Sequence, residues 1–388
     1  MNKLYYVGLE PYESRYTLQL MEWSKSVYEK RGIVYHIING KTIDTSKEIK
    51  IGHVLDAHGR TYYSLSQCME IVQLLRNGAI KGNDVIYFED MFTPGIESIP
   101  YILNQIPKKD RPAIWVHCLA QSIDPDDFIH VYRMHEWMRL YELMLTKFIT
   151  GVFASSEEMV MHMKIAGWDC PIYNISGLAF GKDEVKKRVN KIIPFDERKR
   201  RISFAARWDN EKQPDFFMNL CKEIYKIDPE IEFSVLSGRT LDGNNKSLIS
   251  KAYEYSKKYN FKIYDNLTKN EYYELLVNSR VLFNCALQDW VSYTVLEADT
   301  LETNVIYPAY RSFPEVFSND SSRLYVPWSL TDALNKTLFH VENQSPFVGK
   351  ISDWGDKTID RMIDIMAGSG EQWKRGYPYR HHLSEEKY

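Results

Sequence analysis

Ser203-Phe204-Ala205-Ala206-Arg207-Trp208-Asp209-Asn210-Glu211-Lys212-Gln213-Pro214 is the stretch on which the reading of this chain turns. The run over 201–205 predicts a buried strand, and Pro214 fits the first turn of a helix expected over 214–226. Arg207 then stands at a strand's carboxyl end and Lys212 just before a helix N-terminus. Two cations so placed form a clamp for a diphosphate that needs no metal. They neutralise its charge, and the helix end adds N–H donors. Taken singly, each cation reads as well as an ordinary loop charge.

Working outward, the alternation of short apolar runs and amphipathic stretches continues in both directions, which predicts an α/β fold. Downstream, strands are expected over 232–236, 261–264, 281–284 and 304–307, with helices over 245–259, 269–279 and 291–301. Thr268 and Glu271 form a capping box. Upstream, strands are expected over 4–7, 33–38, 84–88, 113–117 and 151–154. Helices are expected over 15–30, 66–77 with Ser64 or Ser66 as cap, and 127–145, and from Ser155 to a stop at Gly167. The segment 52–63 reads as an edge hairpin. At 388 residues there is room for two domains of about 150–200 residues. The expected architecture is two Rossmann-like, doubly wound domains facing a central cleft. Residues 1–190 form the first domain and 191–352 the second, while 353–388 supply a helix crossing back and a basic, aromatic tail.

Composition excludes several classes. Hydrophobic residues at 44% and charged residues at 26% are ordinary for a globular protein. No apolar run approaches the roughly 20 residues of a membrane span, and the N-terminal stretch reads as a strand, not a signal peptide. Five scattered cysteines without Cys-x-x-Cys argue against a disulfide framework or zinc site and fit a reducing cytoplasm. The net charge of −3 gives no global case for nucleic acid. Locally, 182–201 holds nine cations against four acids.

A second pattern follows the strand at 281–284. In Asp289-Trp290-Val291-Ser292-Tyr293-Thr294-Val295-Leu296-Glu297-Ala298, two acids are separated by seven residues. This resembles the Glu-x7-Glu region of retaining GT-B glycosyltransferases of the glycogen-synthase and sucrose-synthase type, which reads like E-G-F-G-L-x-x-L-E-A. Phe313-Pro314-Glu315-Val316 resembles the family's next step, so Arg207, Lys212, the acid pair and Glu315 fall in family order. The resemblance implies that Glu297 accepts hydrogen bonds from the ribose of a nucleotide and that Asp289 addresses a hydroxyl of the donor sugar. The backbone from Trp290 through Thr294 would approach sugar and phosphate. His117, ending a strand, matches the family's sugar-contacting histidine; read from its own neighbours, it is a buried, satisfied side chain. Gly8, Glu13, Ser14 and Arg15 occupy the first strand–helix turn, near acceptor and phosphate. Retention is described for such enzymes as front-side displacement, in which a phosphate oxygen takes the acceptor's proton. No metal or separate cofactor is expected, and the donor reading is a UDP-sugar.

Two departures qualify the resemblance. Asp289 is one methylene shorter than Glu, and Trp290, Val291 and Ser292 replace Gly-aromatic-Gly. Bulk beside the donor sugar leaves a hexose or a pentose open. For the acceptor, Glu89 and Asp90 follow a strand directly, and Asp56, His58, Asp124, Asp126 and Asp127 are further polar candidates. The compact, tyrosine-rich chain resembles, in style and not in motif, bacteriophage transferases that glycosylate hydroxymethylated bases in DNA. Lys186, Lys187, Arg188, Arg198 and Arg200 would then meet phosphates. A transferase building surface polysaccharide or lipid-linked glycan is the alternative enzyme. A nucleotide-sugar or DNA-binding module without catalysis is the alternative of another class. A monomer is expected.

Overall fold

The computed structural model describes residues 1–11, 16–43, 57–119, 122–241, 243, 245–287, 289–316, 320–351 and 355–374. The N-terminal half runs β1 (Leu4–Val7), α1 (Tyr16–Lys30), β2 (Tyr35–Ile38), α2 (Ala57–Arg76), β3 (Val85–Phe88), α3 (Ile99–Leu103), β4 (Ala113–His117), α4 (Phe128–Val131), α5 (His135–Leu145), β5 (Gly151–Ala154), α6 (Glu157–Ile165), β6 (Ile172–Asn174) and α7 (Lys182–Lys186). Its strands pair in parallel in the order β2-β1-β3-β4-β5-β6. Parallel pairing requires both faces covered, and β1, β3, β4 and β5 are buried along their whole length. Trp115 lies over Gly151, where a Cβ would stand 2.5 Å from its ring, and stacks on Phe153 at 4.9 Å.

The C-terminal half runs β7 (Lys199–Phe204), α8 (Pro214–Ile227), β8 (Glu232–Leu236), α9 (Lys246–Lys258), β9 (Phe261–Tyr264), α10 (Lys269–Val277), β10 (Ser279–Phe283), α11 (Tyr293–Thr300), β11 (Asn304–Pro308), α12 (Phe313–Val316), β12 (Leu324–Tyr325) and α13 (Leu330–Glu342). Its parallel order is β12-β11-β10-β7-β8-β9. Thr268 and Glu271 make the expected reciprocal cap on α10. The last helix, α14 (Gly355–Lys374), lies against the other half of the molecule. Its Ile359, Met362, Ile363 and Met366 join the cluster built by Leu4, Tyr6, Val27 and Trp115, and Arg31 bridges Asp360 and Asp364 at 2.9 and 2.7 Å.

Three local expectations are corrected. Residues 57–63 open the long helix α2 and form no hairpin, so Ser64 and Ser66 lie inside the helix and cap nothing; 52–56 fall outside the described residues. The helix over 127–145 is two helices, broken where Arg133 takes a left-handed φ of 56°. The basic segment is not irregular throughout, since α7 forms within it.

On α5, Glu142 is buried and accepts from the Ser122 backbone N–H at 2.8 Å and its hydroxyl at 2.7 Å. Burial pushes its carboxyl up to about 7, against the pull of Ser122. The folded value lies above the unfolded one of 4.5, so the folded chain holds the extra proton between the two. Stability from this group is therefore greatest below pH 4.5 and declines as pH rises to about 7. Glu142→Gln should remove up to ~3 kcal/mol of that decline, read as the difference between wild-type and variant denaturation at pH 5 and pH 8. Parallel pH slopes would assign the decline to other groups.

Candidate functional site

Doubly wound sheets bind ligands where the strand order reverses, outside the carboxyl ends of the strands. In the second half that place lies between β7 and β10; in the first half it lies between β1 and β3. Arg207, Lys212, Asp289 and Glu297 lie on the elements around the first of these places, and Gly8, Glu89, Asp90 and His117 around the second.

After β7, Trp208 is fully buried and meets Phe204 edge-on at 5.6 Å, fixing the loop that carries the two cations. Gly243 crosses above it so closely that a Cβ would be 2.1 Å from the Trp208 carbonyl oxygen. Lys212 is 6% exposed, and its Nζ donates to Asp289 Oδ1 at 2.5 Å, tying the loop after β7 to the loop after β10. Arg207 is more open and pairs with Asp209 at 3.2 Å and Glu211 at 2.8 Å. An incoming diphosphate would compete with these acids for the guanidinium.

Glu297 sits in the second turn of α11, 1% exposed, and not at the helix start. Its Oε1 accepts from Lys269 Nζ at 2.6 Å and from Tyr273 hydroxyl at 2.9 Å, both on α10. Gln19 of α1 reaches the same tyrosine at 3.5 Å. Ser292 and Thr294 share a hydrogen bond at 3.0 Å, and Val291 packs against the core under α11.

Trp290 and Tyr293 were expected beside the donor sugar; both are committed across the cleft. The Trp290 ring joins the core of the first half, edge-on to His162 at 5.5 Å and under the Arg311 guanidinium at 5.2 Å. Tyr293 stacks on Tyr16 at 5.1 Å and donates to the Ala179 carbonyl at 3.1 Å. Most of this bulk is spent between the halves. Arg311, which the sequence reading did not single out, donates to Asp124 at 2.7 Å and Asp126 at 2.8 Å. Burial pushes the Asp124 carboxyl up, and Arg311 partly offsets this. Glu315 accepts from the Glu157 backbone N–H at 3.0 Å, at the start of α6, and from Asn174 at 3.2 Å. Asp124 and Asp126 thus hold the second half, and Asp127 accepts from the Ile129 N–H at 3.0 Å.

The edge of the first sheet gathers Gly8 and Glu10 after β1, Glu89 and Asp90 after β3, and His117 at the end of β4. Gln67 donates to the Gly8 carbonyl at 2.9 Å. Arg60 of α2 donates to Glu10 at 2.7 Å and to the Phe92 carbonyl at 3.0 Å, and stands 3.6 Å from Asp90. Burial pushes the Asp90 carboxyl up, with Arg60 pulling the other way. Glu89 accepts from the Tyr87 hydroxyl at 3.2 Å and lies 3.7 Å from His117 Nδ1. Among the described residues neither His117 nitrogen has a hydrogen-bond partner. Glu10 and Arg60 were missed because fifty residues separate them in sequence and no local spacing links them. Glu13, Ser14, Arg15 and Asp56 lie outside the described residues.

The basic strip is dismantled at two of its five positions, Arg198 and Arg200. Arg198 is 3% exposed and donates to the carbonyls of Ile193, Leu301 and Glu302, so it anchors the sheet edge and meets no phosphate. Burial lowers its guanidinium to about 10. Arg200 is bound to Asp228 and Glu342. Lys186, Lys187 and Arg188 remain exposed, with Glu184 pairing Lys187 at 3.0 Å. Among the described residues, no group of three or more His, Cys, Asp or Glu is placed to hold a metal ion, and no helix is long and apolar enough to cross a membrane.

Residues 185–358 match the family described as glycosyl transferases group 1. Among solved structures, sucrose-phosphate synthase from Thermosynechococcus elongatus is 12% identical over 97% of this chain and 98% of its own, with a TM-score of 0.65. HepE from Anabaena, in complex with UDP and glucose, is 12% identical over 95% of this chain and 100% of its own, at 0.61. The trehalose-6-phosphate synthase OtsA is 9% identical over 97% and 100%, also at 0.61. No curated protein sequence matches the chain. The fold is GT-B, two Rossmann-like domains across a cleft. With a group 1 domain forming its second half, the chain is a nucleotide-sugar-dependent glycosyltransferase.

Proposed function

We propose that the chain moves a sugar from a UDP-sugar to an acceptor hydroxyl, with retention at the anomeric carbon. The carrying observation is the junction of Lys212, Asp289 and Arg207 at the β7/β10 switch point, opposite the polar edge of the first sheet. In this reading Arg207 and Lys212 hold the diphosphate while the bond from the anomeric carbon to the phosphate oxygen breaks. The acceptor oxygen bonds to that carbon on the face the phosphate leaves, and its proton passes to a phosphate oxygen. The protein positions the reactants and stabilises departing charge, so no side-chain base is invoked. UDP is supported by HepE, a neighbour in fold that carries UDP and glucose.

Calorimetry and a thermal-shift screen of UDP-, GDP- and ADP-sugars test the donor. Glu297→Gln should weaken UDP binding by roughly 10–100-fold, the worth of hydrogen bonds to a charged group. Unchanged affinity would reduce Glu297 to a structural partner of Lys269 and Tyr273. A module without catalysis would bind the donor but never release its sugar, and hydrolysis of labelled donor separates the two.

A second acceptor reading, a hydroxymethylated pyrimidine in DNA, keeps only the exposed Lys186, Lys187 and Arg188 in its support. Duplex affinity falling with salt at a slope of about −0.9 per phosphate contacted, flattened by alanine at those three positions, would favour it. Transfer to a surface or lipid-linked glycan draws on the first-sheet edge instead.

A further inference from the structure

We propose that the cavity between α1, α7 and α10 is an effector site for a small zwitterion with an apolar body, the pattern of an α-amino acid, and that its occupant tightens the nucleotide site. The coupling, though not the cavity, rests on the donor-site reading above.

The cavity has a volume of about 260 Å³. Sites for drug-sized ligands run to roughly 300–1,000 Å³, so this one suits a molecule much smaller than a nucleotide-sugar. Its wall comes from both domains: α1 from the first, Tyr273 of α10 from the second, and α7 with the turn after it between them. The whole lining lies among the described residues.

The charges on that wall select the ligand. Glu22 of α1 and Arg188, just after α7, face one cavity with opposite charge and yet do not pair. Among the described residues, neither side chain makes an ion pair or a hydrogen bond. The other carboxylate, Glu184, is answered by Lys187 at 3.0 Å. One carboxylate and one guanidinium therefore remain, and a zwitterion satisfies both. Its ammonium donates to Glu22, and its carboxylate accepts the paired N–H groups of Arg188. Gln19 is 8% exposed, and its amide makes one hydrogen bond, the long one to Tyr273 at 3.5 Å. That leaves the amide oxygen as a second acceptor for the ammonium. Val185 and the rings of Trp23 and Tyr273 supply the apolar wall. Trp23 is fixed by Phe180 at 5.1 Å and by Gly181, where a Cβ would stand 2.2 Å from its ring.

One tyrosine separates this cavity from the carboxylate assigned to ribose. The Tyr273 hydroxyl donates to Glu297 Oε1 at 2.9 Å, and the charge of Arg188 acts on the same tyrosine. A ligand touching α1 and α10 together binds best at the domain spacing in which Gln19 reaches Tyr273, and so stabilises that spacing. By linkage, UDP and the zwitterion then tighten each other by the same factor.

Calorimetry with the full chain tests this. The probes are L-phenylalanine, hydrocinnamate, which lacks the ammonium, and phenethylamine, which lacks the carboxylate. L-phenylalanine should bind at least ~10-fold tighter than either, the loss of one charge-assisted contact. At saturation it should tighten UDP roughly 5-fold or more. Glu22→Gln should weaken L-phenylalanine about tenfold while UDP affinity without it stays within about twofold. Ser26→Phe, which fills the cavity from α1, should abolish amino-acid binding, and thermal unfolding checks that both variants fold. No binding of L-phenylalanine, equal binding of the three probes, or binding that survives Ser26→Phe would overturn the site. Binding that leaves UDP affinity unchanged would overturn the effector role. Absence of UDP binding would overturn the donor reading, while direct titration of L-phenylalanine still decides the cavity.

Discussion

Lys212→Ala is expected to lower turnover by roughly two to three orders of magnitude, about 3–4 kcal/mol of transition-state stabilisation, with the fold intact. Lys212 sits immediately ahead of α8, so a diphosphate bound there would meet both its ammonium and the helix N-terminus. It is held there by Asp289 at 2.5 Å, with its side chain 7% exposed. Low exposure raises the worth of the charge, because little water screens it. The substitution also frees Asp289, whose carboxylate would then face the phosphate oxygens on which negative charge grows. Arg207→Ala should cost less, since its side chain is 41% exposed and shared with Asp209 and Glu211. Steady-state kinetics with the bound UDP-sugar, alongside thermal unfolding, read both effects. Near-normal turnover in both variants would remove the clamp from the mechanism.

Arg311→Ala should destabilise the chain by about 3–5 kcal/mol, the cost of leaving a buried partner charge uncompensated. Asp124 is fully buried, and among the described residues its Oδ2 has no hydrogen bond, so Arg311 carries its neutralisation. The guanidinium also covers the Trp290 ring, and alanine would open that contact to water. Because the pair joins the two domains, the loss should appear as earlier separation of domain transitions in a thermal scan. Asp124→Asn combined with Arg311→Ala should recover part of the loss, since the carboxylate then left without Arg311, Asp126, is 28% exposed. A single-variant loss below about 1 kcal/mol would match an exposed ion pair and contradict the burial.

Much of the fold was legible because parallel strands buried on both faces read as continuous apolar runs, as in Val85–Phe88 and Gly151–Ala154. A cap was legible where it lies within three residues of its partner, as at Thr268. The start of α2 was not. Its Thr61, Tyr62 and Tyr63 favour extended chain and Gly59 disfavours helix, and the helix is held there by contacts far away in sequence, such as Arg60 with Glu10. The break between α4 and α5 carries no glycine or proline: Arg133 itself takes the left-handed turn. In the site, Arg207, Lys212 and Asp289 were visible because each lies in the loop between a strand and the next helix. Arg311 with Asp124, and Glu315 with Asn174, join residues more than a hundred positions apart. Such pairs leave no periodicity or spacing to read. Trp290 was seen as bulk in the right loop, but its direction depends on a partner domain that no local pattern describes.

The placement of α14 has a consequence for synthesis on the ribosome. Domains commonly mature in the order in which they emerge. Here the N-terminal sheet's layer around Leu4, Tyr6 and Trp115 is closed by Ile359, Met362, Ile363 and Met366. Those four leave the exit tunnel only after every strand of the second domain. Until then a nascent first domain keeps an uncovered apolar face, which invites holdase chaperones. The chain must finish its last domain before its first is complete.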